Sequence, residues 1–246
     1  MLPDTIEMKF AVTPGEDTVK AMKLLSRPAD EEYTVHFFEQ KPVALLKPVD
    51  PLKPGLILRV RQPAAGDGDS TCKIRGPKAE AAAQEFGIDE KHGRKFEGDQ
   101  NVGDLVDRPS FSITLEPPPV AIAAVLSGAA ELQEIFGSEA DGLLQAAGAT
   151  WGSLLAYGPI HARKWKKLEL PGFHGKVTVE LWKAGPVELL EISDKKDRDK
   201  ATAFAEALKE YMTGEKVGVA QLPGSKTEFA LANVQPFALP PGGEPA

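Results

Sequence analysis

Two short runs of sequence decide the fold: GLILRVR at residues 55–61 and TCKIR at residues 71–75, with GDGD at 66–69 between them. Short β-prone runs on either side of a Gly-rich turn predict a β-hairpin. Because side chains alternate along a strand, Arg59 and Arg61 lie on one face, and Lys73 and Arg75 repeat the pattern. Four cations on one surface indicate either an anion-binding site or a solvated sheet face.

The overall charge of the chain bears on that choice. The 246 residues are 42% hydrophobic and 26% charged, with a net charge of −7. This acidic balance argues against broad binding to nucleic acids or anionic membranes, so any anion site is local. A solvated face usually mixes both signs, whereas all four hairpin charges are positive. The pattern therefore favours an anion site, with the solvated face as the alternative.

The lone cysteine, Cys72, excludes an intrachain disulfide and a zinc cluster, and it is expected to be a core residue. The N-terminus has neither a basic segment nor an apolar one, and the longest apolar run, 117–130, is too short to span a bilayer. We expect a cytoplasmic protein with no nucleic-acid or membrane partner. Nothing in the sequence indicates an oligomeric state.

Strands and helices alternate irregularly along the chain. We predict further strands at 6–12, 33–39, 94–99, 111–116, 161–170, 176–183 and 188–193, and helices at 17–26, 77–86, 121–156 (cut by glycines) and 197–212. No linker divides these elements. The expectation is a single domain over residues 1–235, followed by a disordered Pro/Gly-rich tail at 236–246.

The order of these elements resembles the CYTH superfamily, the triphosphate tunnel metalloenzymes. EMK at 7–9 stands where that family has a Glu-x-Glu-x-Lys strand, and GLILRVR and TCK are the nearest matches to its signatures. FFE at 37–39, ALLK at 44–47 and a late ELLEIS strand at 188–193 follow the same order. The resemblance covers residues 4–212 and depends on the order and spacing of the motifs.

This resemblance implies an α+β fold, a closed antiparallel eight-stranded β-barrel that forms a tunnel, with helices packed outside. It also implies a triphosphate-containing ligand and Mg²⁺ or Mn²⁺ as cofactor. The implied catalytic and phosphate-binding residues are Lys9, Arg59, Arg61 and Lys73, with Arg75, Arg163 and Lys183 as further substrate-binding residues. The implied metal ligands are Glu7, Glu191, Glu97, Asp99 and Glu180.

The chain departs from the family pattern at two acidic positions. Thr5 occupies the first acidic position of the N-terminal motif, and Ser193 occupies the second acidic position of the late strand. The leading hypothesis is a metal-dependent hydrolase of inorganic or organic triphosphates. The alternatives are a catalytically weakened polyphosphate- or nucleotide-binding module, an adenylate cyclase of the same fold, and an unrelated α+β protein with charged surface strands.

Overall fold

The computed structural model describes residues 3–40, 55–101, 108–220, 225–237 and 239. The strands in these ranges are β1 (Thr5–Val12), β2 (Glu31–Gln40), β3 (Gly55–Pro63), β4 (Asp69–Arg75), β5 (Arg94–Asn101), β6 (Arg108–Leu115), β7 (Leu154–Glu169), β8 (Lys176–Ala184), β9 (Val187–Asp197), β10 (Val219–Ala220) and β11 (Pro236–Phe237). The helices are α1 (Glu16–Lys23), α2 (Ala79–Phe86), α3 (Pro119–Leu126), α4 (Gln133–Phe136), α5 (Glu139–Ala147), α6 (Arg198–Gly214) and α7 (Lys226–Ala232). The ALLK motif at 44–47 lies outside the described residues.

The strands form one sheet in the order β10-β1-β5-β6-β4-β3-β2-β7-β8-β9, and β1 also pairs with β9. The described strands therefore form a closed mixed β-barrel of nine strands, with β10 and β11 outside it and the helices packed around. This confirms the predicted α+β barrel. The predicted count of eight strands was wrong, because nine strands close the barrel. The purely antiparallel arrangement was also wrong, because β1 pairs with β5 in parallel, from Ile6 opposite Gly98 to Lys9 opposite Asn101.

Two parts of the chain differ from the predicted elements. The helical segment 121–156 is three helices, α3 to α5, followed by a 3₁₀ turn and the start of β7. Pro236 and Phe237, which we assigned to the tail, form β11 and pair with Tyr157 and Ala156. Residues 238 and 240–246 of the predicted tail lie outside the described residues.

The chain divides into two compact units. Unit 1 comprises residues 1–32, 97–108 and 160–233, and unit 2 comprises residues 33–96, 109–159 and 234–246. Each unit has its own hydrophobic core. The predicted single domain stays a prediction.

The core of unit 1 lies on one face of its strands. Ile6, Met8 and Phe10 of β1 are buried, while the alternating side chains between them are half-buried. Leu208 and Met212 of α6 are fully buried in the same core. Helices therefore cover the apolar face, and the polar side chains of these strands share the opposite face.

The core of unit 2 is built on the predicted hairpin. β3 and β4 pair in antiparallel register, with Leu58 opposite Cys72 and Arg59 opposite Thr71. Leu58 and Cys72 are buried with Phe111 of β6, in a core that includes residues of α2 to α5. Because side chains alternate, this packing leaves the hairpin cations on the other face.

No helix in the described ranges is both long and apolar enough to cross a lipid bilayer.

Candidate functional site

The hairpin cations share one face of unit 2, which we call the cationic face. Its charged members are Arg59 and Arg61 of β3 and Lys73 and Arg75 of β4. The alternation on the two strands thus places the four side chains on one face. Arg59 and Arg61 are about a quarter exposed, with side-chain accessibilities of 26% and 27%.

Hydroxyl groups line the cationic face between the charges. β6 pairs with β4 so that Thr114 lies opposite Thr71, Ser112 opposite Lys73 and Ser110 opposite Arg75. Arg59 Nη2 donates a hydrogen bond to Thr71 Oγ1 at 3.2 Å. The Oγ1 atoms of Thr71 and Thr114 are 3.2 Å apart. Hydroxyl donors beside guanidinium and ammonium groups form a surface suited to an oxyanion.

Asp69 orients the two arginines of this face. Its Oδ2 accepts a hydrogen bond from Arg61 Nε at 2.7 Å, and its Oδ1 lies 3.6 Å from Arg59 Nη2. The sequence analysis assigned Asp69 only to the turn and missed this role. β2 adds Glu39, two residues beyond Phe37, which lies opposite Arg59. These four cations and two carboxylates leave a net charge of +2 (4 − 2).

A second charged surface, the acid–lysine face, lies within unit 1. β1 contributes Glu7 and Lys9, and it pairs with β5 so that Glu7 lies directly opposite Asp99. On β8 and β9, Glu180 lies directly opposite Glu191. The face thus carries all five predicted metal ligands together with four lysines: Glu7, Glu97, Asp99, Glu180, Glu191, Lys9, Lys164, Lys195 and Lys226.

Lysines contact the carboxylates contributed by β1 and β5. Lys9 Nζ lies 2.9 Å from Glu7 Oε2 and 2.7 Å from Asp99 Oδ1. Lys195 Nζ lies 2.7 Å from Glu97 Oε1. Asp99 is buried, with 7% of its surface exposed, so its pairing with Lys9 offsets part of the cost of removing the carboxylate from water.

Glu180 of this face contacts two lysines and a tryptophan. Lys164 Nζ lies 2.8 Å from Oε1, and Lys226 Nζ and Trp182 Nε1 both donate to Oε2. Burial by itself would raise the pKa of Glu180, but the charges of Lys226 and Lys164 outweigh it and hold that pKa well below its usual value. Lys226 Nζ also lies 2.7 Å from Glu191 Oε1.

These carboxylates do not fit a preformed metal site. Each of the five has a lysine ammonium in contact. Within the described residues, no group of three or more His, Cys, Asp or Glu side chains could hold a metal ion. Thr5 and Ser193 stand where the resemblance implies two further carboxylates. The implied Mg²⁺ or Mn²⁺ cofactor stays a prediction.

Arg163 and Lys183 lie outside the acid–lysine face of unit 1. Lys164 lies opposite Glu180 on β7 and β8, so its neighbour Arg163 projects from the other side of the sheet. Arg163 is exposed, with its guanidinium 5.8 Å from the ring centroid of the buried Trp165. Lys183 is also exposed and lies opposite His161. Within unit 1, the structure therefore does not bring these two predicted phosphate ligands to the face that carries Lys9.

The sequence patterns did not predict a role for Lys164, Lys195 or Lys226. A signal for Lys226 was present, because Ser225 followed by Glu228 is a capping-box pattern that marks the start of a helix. The structure shows that capping box at α7, with the Ser225 side chain accepting from the Glu228 amide. Lys164 was missed because the resemblance implied its neighbour Arg163 as the ligand of this strand, and adjacent residues lie on opposite faces.

The fold is similar to solved structures over most of its length. One is the Hippeastrum protein HpAC1, described as a candidate adenylyl cyclase with a dominant triphosphatase activity. It is 11% identical with a TM-score of 0.56, covering 92% of this chain and 94% of that chain. A candidate adenylate cyclase from Bacillus halodurans is also 11% identical with a TM-score of 0.53, covering 92% and 98%. The fold is that of a CYTH-like domain.

No protein-family model and no curated protein sequence matches the chain. At 11% identity the two structural neighbours establish the CYTH-like fold alone. The assignment of a function to the two faces therefore depends on their own chemistry.

Proposed function

We propose that this protein binds a triphosphate-containing small molecule and that the cationic face of unit 2 contacts the phosphate groups. The observation that carries the proposal is the set of four cations, interleaved with hydroxyls, on adjacent strands of an acidic chain. A guanidinium fork can bond two phosphate oxygens at once, which suits Arg59 and Arg61. Lys73 adds a point charge, and Arg75 extends the face toward Ser110.

The fold supports the same class of ligand. HpAC1, which shares the fold, is described as having a dominant triphosphatase activity. Asp69 does not oppose the proposal, because this carboxylate holds Arg61 and Arg59 in place and the face keeps a net positive charge.

Calorimetric titration with tripolyphosphate tests the proposal. Arg59→Gln removes a guanidinium from the face, so we expect binding to weaken at least about tenfold. Arg163→Gln removes the same charge outside the face and is the matched control, for which we expect a change of less than about twofold. Equal affinity in wild type and Arg59→Gln, or no binding by wild type, would overturn the proposal.

Metal-dependent hydrolysis of inorganic or organic triphosphates is the second candidate. The described activity of HpAC1 favours it. The catalytic residues that the CYTH resemblance implies for this activity, Lys9, Arg59, Arg61 and Lys73, stay predictions, as does the cofactor, Mg²⁺ or Mn²⁺.

Phosphate release from tripolyphosphate, ATP and thiamine triphosphate, with Mg²⁺ and with Mn²⁺, separates the two candidates. Metal-dependent turnover that is lost in Glu7→Gln supports the hydrolase. Binding without turnover supports a module that holds its ligand intact. Cyclic AMP formed from ATP would instead identify a cyclase of the same fold.

A cytoplasmic location is part of this proposal, since the one described cysteine is a buried free thiol. The net charge of −7 supports a small-molecule ligand over a nucleic acid or an anionic membrane, both of which require a basic surface. The cationic face is a local exception to that charge.

A further inference from the structure

On the acid–lysine face, Lys226 contacts two carboxylates from neighbouring strands. It is the first residue of α7, and its Nζ contacts Oε2 of Glu180 and Oε1 of Glu191 together. The ammonium also lies 4.4 Å from the ring centroid of Trp182. The side chains of Lys226, Glu180 and Glu191 are only 12%, 13% and 6% exposed. One ammonium group therefore bridges two buried carboxylates.

The charges around this bridge balance within the group. Glu180 and Glu191 are directly opposite on β8 and β9, so two like charges would lie side by side without a cation. Lys164, opposite Glu180 on β7, supplies one positive charge and Lys226 supplies the other. Two lysines and two glutamates give zero net charge (2 − 2). The group is neutral without any added ion.

We propose that Lys226 is the built-in cation of the Glu180–Glu191 pair and that it excludes divalent metal ions from that pair. A bridging metal ion needs one oxygen from each carboxylate, and the Lys226 ammonium already contacts one oxygen of each. The ammonium would repel a divalent ion placed beside it, and this repulsion is strong because little water screens the two charges. Binding the ion would therefore require Lys226 to leave.

The fold holds Lys226 in this position. The capping box of Ser225 and Glu228 fixes the first turn of α7, and buried Ala230 and Leu231 anchor the helix. The cation–π contact with Trp182 adds a further attraction at low exposure. The inference concerns unit 1 and does not depend on phosphate binding by the cationic face.

Mn²⁺ binding, measured by electron paramagnetic resonance without any phosphate ligand, tests the inference. Wild type should gain no Mn²⁺ from this pair, so Glu191→Gln should leave Mn²⁺ binding unchanged. Lys226→Met keeps an unbranched chain beside Trp182 but removes the charge, leaving the group at −1 (1 − 2). We expect this variant to bind Mn²⁺ at least about tenfold more tightly than wild type.

Two controls make the result specific. Lys183→Met removes a lysine outside the face and should gain no Mn²⁺ site. The double variant Lys226→Met with Glu191→Gln should lose the site that the single variant gained. Wild-type Mn²⁺ binding that falls in Glu191→Gln would overturn the inference, and so would a folded Lys226→Met variant with wild-type Mn²⁺ affinity. If Lys226→Met does not fold, the comparison of wild type with Glu191→Gln still decides.

Discussion

At the residue scale, the chemistry of Cys72 depends on the face of β4 on which its side chain lies. Its neighbour Lys73 lies on the cationic face, whereas Cys72 is buried among the core residues of unit 2. Burial raises the pKa of the Cys72 thiol to about 12. The thiol is therefore a packing group rather than a nucleophile, as the sequence analysis predicted.

A labelling experiment checks this. Because the thiolate is the reactive species, we expect a thiol reagent at pH 8 to modify Cys72 at least about 100-fold more slowly in the native protein than in denaturant. Free cysteine at the same pH is the control for reagent quality. Rapid stoichiometric labelling of the native protein would contradict the burial of Cys72.

Glu180 gives a pH-dependent prediction at the same scale. Its pKa is lower in the folded protein than in the unfolded chain, because Lys226 and Lys164 outweigh burial. A carboxyl group whose pKa is lowered by folding stabilises the protein at pH values above its pKa in the unfolded chain. This contribution is lost as the pH falls through its pKa in the folded protein. Glu180→Gln should therefore cost about 2–4 kcal/mol of unfolding free energy at pH 7.

The difference in unfolding free energy between wild type and Glu180→Gln should narrow as the pH falls below about 4.5, the ordinary pKa of a glutamate side chain. Urea unfolding of both proteins across this pH range measures it. Glu169→Gln, an exposed glutamate on β7, is the control and should change little at any pH. A difference in unfolding free energy between wild type and Glu180→Gln that stays constant from pH 7 to pH 3 would contradict the pairing of Glu180 with Lys164 and Lys226.

At the scale of elements, the entry into β5 depends on a close backbone approach. Gly93 has φ of +79°, and a Cβ added there would lie 2.2 Å from the Thr114 carbonyl oxygen of β6. The Thr114 amide also donates to the Gly93 carbonyl at 3.1 Å. Only glycine allows both the positive φ and this approach.

Gly93→Ala should therefore destabilise the protein more than an ordinary substitution of a left-handed glycine. Gly148, the residue after α5, also has φ of +72° but has open space around its Cβ position, so Gly148→Ala is the matched control. We expect Gly148→Ala to lower the unfolding free energy by about 1 kcal/mol and Gly93→Ala to lower it by about 2–3 kcal/mol more, as measured by urea unfolding. Equal costs would contradict the close approach.

The strands also show which faces could be predicted from the sequence. Alternation placed Glu7 with Lys9, and Arg59 with Arg61, because these strands are regular and bury one face. On β7 the resemblance implied Arg163 as a ligand, but Lys164 rather than Arg163 shares a face with Glu180. Trp165, on the same face as Arg163, packs in the core of unit 1. A register shift between Trp165 and Leu168, with Lys167 at φ of +48°, then interrupts the alternation.

At the scale of the whole molecule, the order of the motifs predicted the CYTH-like fold, but it did not predict the ion pairs. The motifs are local, whereas Lys226 is 46 residues from Glu180 along the chain and Lys9 is 90 residues from Asp99. Helix α7 was missed although its capping box is visible in the sequence. Long-range pairing therefore decides whether the implied metal ligands are available to a metal ion.

The two faces differ in how their charges are satisfied. The charged side chains assigned to the cationic face, Arg59, Arg61, Lys73, Arg75, Asp69 and Glu39, sum to +2 (4 − 2), whereas the group of Lys164, Lys226, Glu180 and Glu191 on the acid–lysine face is neutral. An anionic ligand is therefore attracted to unit 2. A divalent cation gains less at the Glu180 group in unit 1, because lysines already compensate its carboxylates. Phosphate binding should consequently not require a metal ion.

The most direct test of this account is the affinity for tripolyphosphate in EDTA, compared with the affinity in Mg²⁺, by calorimetry on wild type and Arg59→Gln. We predict micromolar binding by wild type without metal, a change of less than about threefold on adding Mg²⁺, and at least about tenfold weaker binding by Arg59→Gln. Binding that appears only with Mg²⁺, or that is unaffected by Arg59→Gln, would contradict the central claim that the cationic face is the phosphate site.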